Sequence, residues 1–349
     1  MSWLEPVSGG GHRLMVARLD GAGWAAPSRV AEGDRFFANW ADLPAVAASG
    51  DGSLVAHWLA KTDAATYAYS IFVARSVDGG SSWAELGRLN DDNTPTEHGF
   101  VSYAIDGDGL RAFWLDGRAM QEGGDMALRT AFIGEAIGPS EVVDPRVCEC
   151  CATDAARGAA GPVVIYRDRI GDEIRDISMV RQDGDGWTTP SVVTADNWRI
   201  AGCPVNGPAI AAAGEAVAVA WFTATGDAPR VQLAFSTDGG ATFGPPQVID
   251  DEAPPGRVDV ALDGADGAVV SWLALAGDEG SVRLRRVTAE GGMGEPLVIA
   301  TTGAQRASGF PRLARVGDTV YLAWVDTTPT DGHRLRARAL PLDQLPAPG

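Results

Sequence analysis

Ala218-Val219-Ala220-Trp221 is an apolar run that closes on a tryptophan, and it decides the fold because it recurs. The other copies are Val55-Ala56-His57-Trp58, Arg111-Ala112-Phe113-Trp114, Val163-Val164-Ile165-Tyr166, Val269-Val270-Ser271-Trp272 and Tyr321-Leu322-Ala323-Trp324. From aromatic to aromatic the steps are 56, 52, 55, 51 and 52 residues. That near-constant period is too long for a solenoid coil and suits four strands with their turns. The fourth copy shows the order within a period. Pro208-Ala209-Ile210 opens it, a glycine turn leads to the Trp strand, and further strands follow at residues 231–235 and 247–249.

Four antiparallel strands make one blade, and a twisted blade buries both faces only against its neighbours. Six periods therefore predict an all-β, six-bladed β-propeller, with the aromatics as wedges between blades. The expected blades are about 40–97, 98–147, 148–202, 203–256, 257–309 and 310–345, in a single domain spanning residues 1–349. Residues 1–33 hold two strand-like runs and no Trp strand, and the last period lacks a fourth strand. The N-terminal run is thus expected to complete the last blade and close the ring.

The rest of the composition agrees. The 349 residues carry 46 acidic and 28 basic side chains, a formal net charge of -18, which disfavours a nucleic-acid partner. With 44 Gly and 21 Pro, tight turns dominate and long helical bundles are excluded. No stretch of about 18 consecutive apolar residues exists, so no membrane-spanning helix is expected. The opening Met1-Ser2-Trp3-Leu4-Glu5-Pro6 lacks a charged segment followed by an apolar one, so no signal peptide is expected in this chain.

Two periods carry the same turn between their third and fourth strands: Ser76-Val77-Asp78-Gly79-Gly80-Ser81-Ser82-Trp83 and Ser236-Thr237-Asp238-Gly239-Gly240-Ala241-Thr242-Phe243. Both resemble the Asp-box, S-x-D-x-G-x-x-W/F, of the sialidase-like propellers. The aspartate accepts backbone N–H groups, glycine takes positive φ, and the aromatic packs under the turn. The resemblance implies the fold along the whole chain and only part of a catalytic set. The first arginine of a sialidase triad opens the first blade in an R-I-P motif, where this chain has Asp42-Leu43-Pro44. The tyrosine nucleophile should open the last blade, where Ser308-Gly309-Phe310-Pro311 stands. A phenyl ring cannot attack an anomeric carbon. Asp63, in the loop before the first Asp-box, is the candidate acid, and Asp116 with Asp168 is a candidate carboxylate pair.

In a propeller, the loops entering first strands and those leaving second strands share one face. The period places on it Thr96-Glu97-His98, Asp116-Gly117-Arg118, Arg167-Asp168-Arg169, Asn206, Arg257 and Arg312. Arginine is a planar donor suited to carboxylate, phosphate or sulfate. His98, Arg118, Arg167, Arg169, Asn206, Arg257 and Arg312 are therefore the expected ligand-binding set for a small anionic glycan. Cys148, Cys150, Cys151 and Cys203 fall on the same face, where they can pair as disulfides, Cys148 or Cys150 with Cys203, or bind Cu or Zn, with His98 as a further ligand. Three functions stay open: a carbohydrate-active protein, a thiolate metal or redox protein, and an interaction scaffold. Acidic charge and propeller type point to an extracytoplasmic bacterial protein, expected as a monomer without nucleic-acid or membrane partners.

Overall fold

The computed structural model describes residues 1–20, 23–277, 279–330 and 332–349. Each of the six periods is an antiparallel sheet of its own. The second sheet holds Val46–Ala48, Leu54–Lys61, Tyr69–Ser76 and Ala84–Arg88; the third holds His98–Asp106, Gly109–Asp116, Ala127–Ile133 and Glu141–Asp144. The fourth is built on Asp154–Arg157, Pro162–Arg167 and Ile177–Asp183, with two short strands against its outer edge. The fifth runs through Ala209–Ala213, Ala216–Thr223, Arg230–Ser236 and Gln247–Asp250. The sixth comprises Gly256–Leu262, Gly267–Ala276, Glu279–Thr288 and Leu297–Gly303, and the seventh Arg312–Val316, Thr319–Asp326 and Arg334–Pro341.

Such successive meanders are propeller blades, and among the described residues there are seven rather than the six expected. The additional blade is N-terminal. Ser2–Pro6, His12–Val16 and Ser28–Gly33 pair with one another, Ser2 opposite Val16 and His12 opposite Gly33, instead of completing the last blade. They need no Trp strand because Leu14, fully buried, packs with Ala56, Trp58 and Ala74 of the second sheet, joined by Leu4 and Val30. This sheet lies outside the aromatic period because it borrows its aromatic, Trp58, from the second sheet.

The chain divides into two compact units, Met1–Glu149 with the first three sheets and Cys150–Gly349 with the other four. Within each, the aromatics are the wedges. Trp114 packs with Tyr69, Ile71 and Leu110, Trp221 with Ile165, Met179 and Val219, and Trp272 with Val231, Leu233 and Val270. Truncating one such ring costs about 3–5 kcal/mol. Each buried indole N–H is also satisfied by an acid: Trp114 by Asp116 at 2.9 Å, Trp221 by Asp196 at 2.7 Å and Trp272 by Asp250 at 2.5 Å.

The two S-x-D-G-G turns share one network. The serine Oγ donates to the aspartate Oδ1 at 2.8 Å (Ser76–Asp78) and 2.7 Å (Ser236–Asp238). The same Oδ1 accepts the N–H of Ser82 or Thr242 at 2.9 Å. Gly79, Gly80, Gly239 and Gly240 all have positive φ. Those hydrogen bonds hold the Asp78 and Asp238 carboxyls down at about 2.

Candidate functional site

In the second unit, strand register places three charged residues at one equivalent position. Asp154 lies opposite Ile165, Asp259 opposite Ser271 and Arg312 opposite Ala323, each partner being the residue before the sheet's aromatic. Counted 13 residues back from its aromatic, as Asp259 stands from Trp272, the fourth sheet would offer Thr153 at this position. That count fails by one residue because the sixth sheet has one residue more between this position and its aromatic, 13 from Asp259 to Trp272 against 12 from Asp154 to Tyr166 and from Arg312 to Trp324. Asp154 is therefore the site residue that sequence spacing missed.

Both carboxylates clamp the next sheet. Asp154 Oδ2 accepts the N–H of Ile210 at 2.9 Å, and Asp259 Oδ2 accepts that of Leu313 at 2.8 Å. Arg312 Nε lies 3.2 Å from Asp259 Oδ2, and its side chain remains 59% exposed. Burial pushes the Asp154 carboxyl up to about 6, with Arg312 opposing the rise and Asp259 adding to it. Asp259 in turn raises the pKa of Arg312. The arrangement holds a carboxyl that keeps its proton into mildly acidic pH, a second carboxylate, and an exposed guanidinium.

The other arginines of the expected ligand set tie loops. Arg167, 2% exposed, gives Nε to Asn206 O at 3.0 Å, Nη1 to Arg175 O at 2.6 Å and Nη2 to Phe222 O at 2.7 Å, with its guanidinium 4.9 Å from the Trp198 ring centre. Arg169 and Arg175 both grip Glu173 at 2.7 Å and hold its carboxyl down at about 2. Arg257 gives Nη1 to Gln305 O at 3.3 Å and Gly309 O at 3.0 Å; burial, with Arg306 nearby, lowers its pKa to about 10. Asn206 accepts the Arg257 N–H at 2.9 Å and donates to Pro255 O at 3.1 Å. Asp168 accepts from Arg169 N–H at 2.6 Å and Ser178 Oγ at 2.7 Å. Buried backbone carbonyls need donors, and Arg167 supplies three at once.

In the first unit, Asp63 lies in an exposed turn, accepting the N–H of Ala64 at 2.6 Å. Asp42, standing where the R-I-P arginine was expected, is buried. Its Oδ1 accepts the Phe100 N–H at 2.8 Å, and the Tyr69 hydroxyl reaches its Oδ2 at 3.2 Å and Glu97 Oε1 at 2.7 Å. Burial, opposed by the Phe100 N–H and reinforced by Glu97, pushes Asp42 up to about 8. Burial and the two acids also drive the Tyr69 phenol well above its ordinary value. Tyr69 carries no sequence signal that would have singled it out, whereas Glu97 falls in the Thr96-Glu97-His98 run that the period places on the loop face.

His98, Asp116 and Arg118 do come together, joined by Asp92. Arg118 grips Asp116 with Nε at 2.7 Å and Nη2 at 2.8 Å, and reaches Asp91 at 2.8 Å. Burial opposes a charge on His98, while Asp92 and Asp116 favour one strongly enough to raise its pKa. Among the cysteines, Cys150 and Cys203 form a disulfide across 53 residues of sequence; Cys148 and Cys151 are buried outside it.

No protein-family model matches the chain, and no curated protein matches it. Solved structures do. A Hadza microbial sialidase is similar at a TM-score of 0.57 and 12% identity over 96% of this chain and 74% of that one. The Penicillium chrysogenum alpha-L-arabinanase complexed with arabinobiose is similar at 0.57 and 12%, over 87% and 94%. A Dyadobacter fermentans protein of unknown function follows at 0.55 and 13%, over 89% and 96%. At such identity the likeness extends to the fold alone. The chain shares its propeller fold with a sialidase and an arabinanase.

Proposed function

We propose that the chain is a carbohydrate-active propeller that binds an anionic sugar at Arg312, beside Asp154 and Asp259. One observation carries this reading: Arg312 is the candidate arginine whose side chain stays more than half exposed while Arg167 and Arg257 are spent on backbone carbonyls. A sugar carboxylate would pair with its guanidinium. Protonation of Asp154 near pH 6 removes a competing negative charge, so binding should strengthen as pH falls from 7 to 5. Sialidase-like and arabinanase-like neighbours support a glycan as the ligand class. Ordinary sialidase catalysis is not part of the proposal, since Asp42 and Phe310 replace the arginine and the tyrosine it needs.

A second reading, hydrolysis, rests on the raised pKa of Asp154. Two carboxyls in unlike environments are the usual acid and base of glycoside cleavage. Protonated Asp154 would give its proton to the leaving glycosidic oxygen, and Asp259 would serve water or the anomeric carbon. The disulfide supports an extracytoplasmic home. A Cu or Zn site of four thiolates would require Cys150 and Cys203 to be reduced.

The test is a titration of the protein with glucuronate- and sialate-terminated oligosaccharides and their neutral counterparts at pH 5 and 7. Selective binding of the acidic sugars, lost in Arg312→Ala, supports the proposal. Equal binding of neutral sugars, or acidic-sugar binding that survives Arg312→Ala, overturns it. Release of reducing sugar by the wild type but not by Asp154→Asn would add hydrolysis.

A further inference from the structure

The carbohydrate reading leaves unused the cluster that brings His98 against two aspartates in the first unit. His98 is fully buried, and its ring orientation is set from behind: Nδ1 lies 3.1 Å from both Tyr69 O and Thr96 O. A ring nitrogen facing two carbonyl oxygens must carry its proton, so Nδ1 is the donor. Nε2 then points at Asp92 Oδ1, 3.1 Å away, and Asp116 Oδ1, 3.7 Å away, and neither approach has hydrogen-bond geometry. A neutral imidazole would here aim a lone pair at two carboxylates.

The second oxygen of each carboxylate is held elsewhere. Asp92 Oδ2 accepts the Thr94 N–H at 3.0 Å and its hydroxyl. Asp116 Oδ2 accepts the Trp114 indole N–H at 2.9 Å and Arg118 Nη2 at 2.8 Å. Asn90 Nδ2 reaches Asp92 Oδ1 at 3.1 Å, and Arg118 reaches Oδ1 of Asp116 at 2.7 Å and of Asp92 at 3.4 Å. Ligands whose remote atoms are fixed by hydrogen bonds, with a histidine Nδ1–H on a backbone carbonyl, are the usual outer shell of a metal centre.

The distances fit as well. Bonds of about 2.0–2.1 Å in a tetrahedral site separate neighbouring ligand atoms by about 3.3 Å, and the separations from Nε2 are 3.1 and 3.7 Å. With a neutral imidazole, Asp91, Asp92 and Asp116 against Arg118 leave two negative charges, which one divalent ion balances. We propose that Asp92 Oδ1, His98 Nε2 and Asp116 Oδ1 bind one first-row divalent transition-metal ion. One imidazole with two carboxylates suits Mn, Fe or Zn and supplies too few oxygens for Ca. Arg118, whose side chain is 25% exposed, lies against Asp116 as a cation would. Its nitrogen and oxygen donors differ from the sulfur ligands of the cysteines, which prefer softer ions.

The full chain, stripped with chelator and kept in 0.5 M salt so that its surface acids are screened, is titrated with Mn2+ and followed by electron paramagnetic resonance. The expected result is one bound equivalent, displaced by Zn2+ but not by excess Ca2+, unchanged in Cys203→Ser and weakened 10- to 100-fold in Asp92→Asn. Arg118→Met should tighten binding by removing the competing cation. Because Asp92→Asn alters a buried network, nitrogen NMR of His98 in the wild type is the second readout: Zn2+ must shift Nε2 as a metal ligand. If Nε2 keeps a proton at saturating Zn2+, or if Mn2+ binds the wild type no better than Asp92→Asn, His98 is an imidazolium paired with the two carboxylates and the metal site is wrong.

Discussion

Asp42 Oδ1 accepts the backbone N–H of Phe100 across 58 residues of sequence, at 2.8 Å. In the second unit Asn206 Oδ1 does the same for Arg257 at 2.9 Å. The match extends further. Phe100 and Arg257 both have positive φ, 56° and 57°, each follows a glycine, and each lies in a bulge at the start of its sheet. A side-chain oxygen from one blade thus satisfies the N–H of a strained residue in the next.

Asn206 shows that an amide can do this work, so Asp42→Asn should fold. Asp42 is pushed up to about 8 from 3.8. The native state therefore holds a proton that the unfolded chain has released, and wild-type stability falls as pH rises from about 4 to about 8. Asp42→Asn removes this loss. Urea denaturation should show the variant close to wild type at pH 5 and more stable at pH 9, by on the order of a few kcal/mol.

Glycine before the strained residue is required by space. A Cβ on Gly99 would lie 2.0 Å from Asp42 Oδ2, and one on Gly256 would lie 2.6 Å from Asn206 Oδ1, at φ +83°. Gly99→Ala and Gly256→Ala should each destabilise by about 1–3 kcal/mol. Gly52→Ala, where a Cβ meets nothing within 4 Å and φ is +82°, isolates the backbone strain for comparison. Equal melting temperatures for Gly52→Ala and Gly256→Ala, at almost the same φ, would remove the clash from the account.

Arg167 supplies three carbonyls that otherwise face a dry interior. Arg167→Met keeps much of the aliphatic stem and strands all three acceptors, at about 3–5 kcal/mol. Arg167→Lys should recover part of this and not all, because an ammonium lacks the planar fork. Calorimetric melting of both variants checks the order; a lysine variant as stable as wild type would show that charge alone suffices.

The Cys150–Cys203 bond closes a stretch of 53 residues. Loop-closure entropy for that length gives about 4 kcal/mol. Cys203→Ser should lower the denaturation midpoint accordingly, and thiol counting under denaturing conditions should rise from two to three. If reductant leaves the wild-type midpoint unchanged, the bond does not form in solution.

The propeller was legible because burial of one aromatic per blade forces a recurring pattern: Trp58, Trp114, Tyr166, Trp221 and Trp272 are all buried as the period implied. The N-terminal blade was not, since Leu14 fills its core against Trp58, a side chain counted with the neighbouring period. The candidate site was only partly legible. Residue type and period marked Arg167, Arg257 and Arg312 alike, because a sequence shows how many donors a guanidinium has and not which carbonyls reach them.

By itself the sequence determined local chemistry that repeats at fixed intervals, the aromatic strands and the two S-x-D-G-G turns, together with the net charge of -18. Tertiary structure alone decided what depends on approach across sheets. Strand register set the site position at Asp154 rather than Thr153, three carbonyls converged on Arg167, and two aspartates met the Nε2 of His98. Burial patterns are written into the chain by periodicity, whereas hydrogen bonds and charge pairs depend on separations of a fraction of an ångström that only the folded backbone sets.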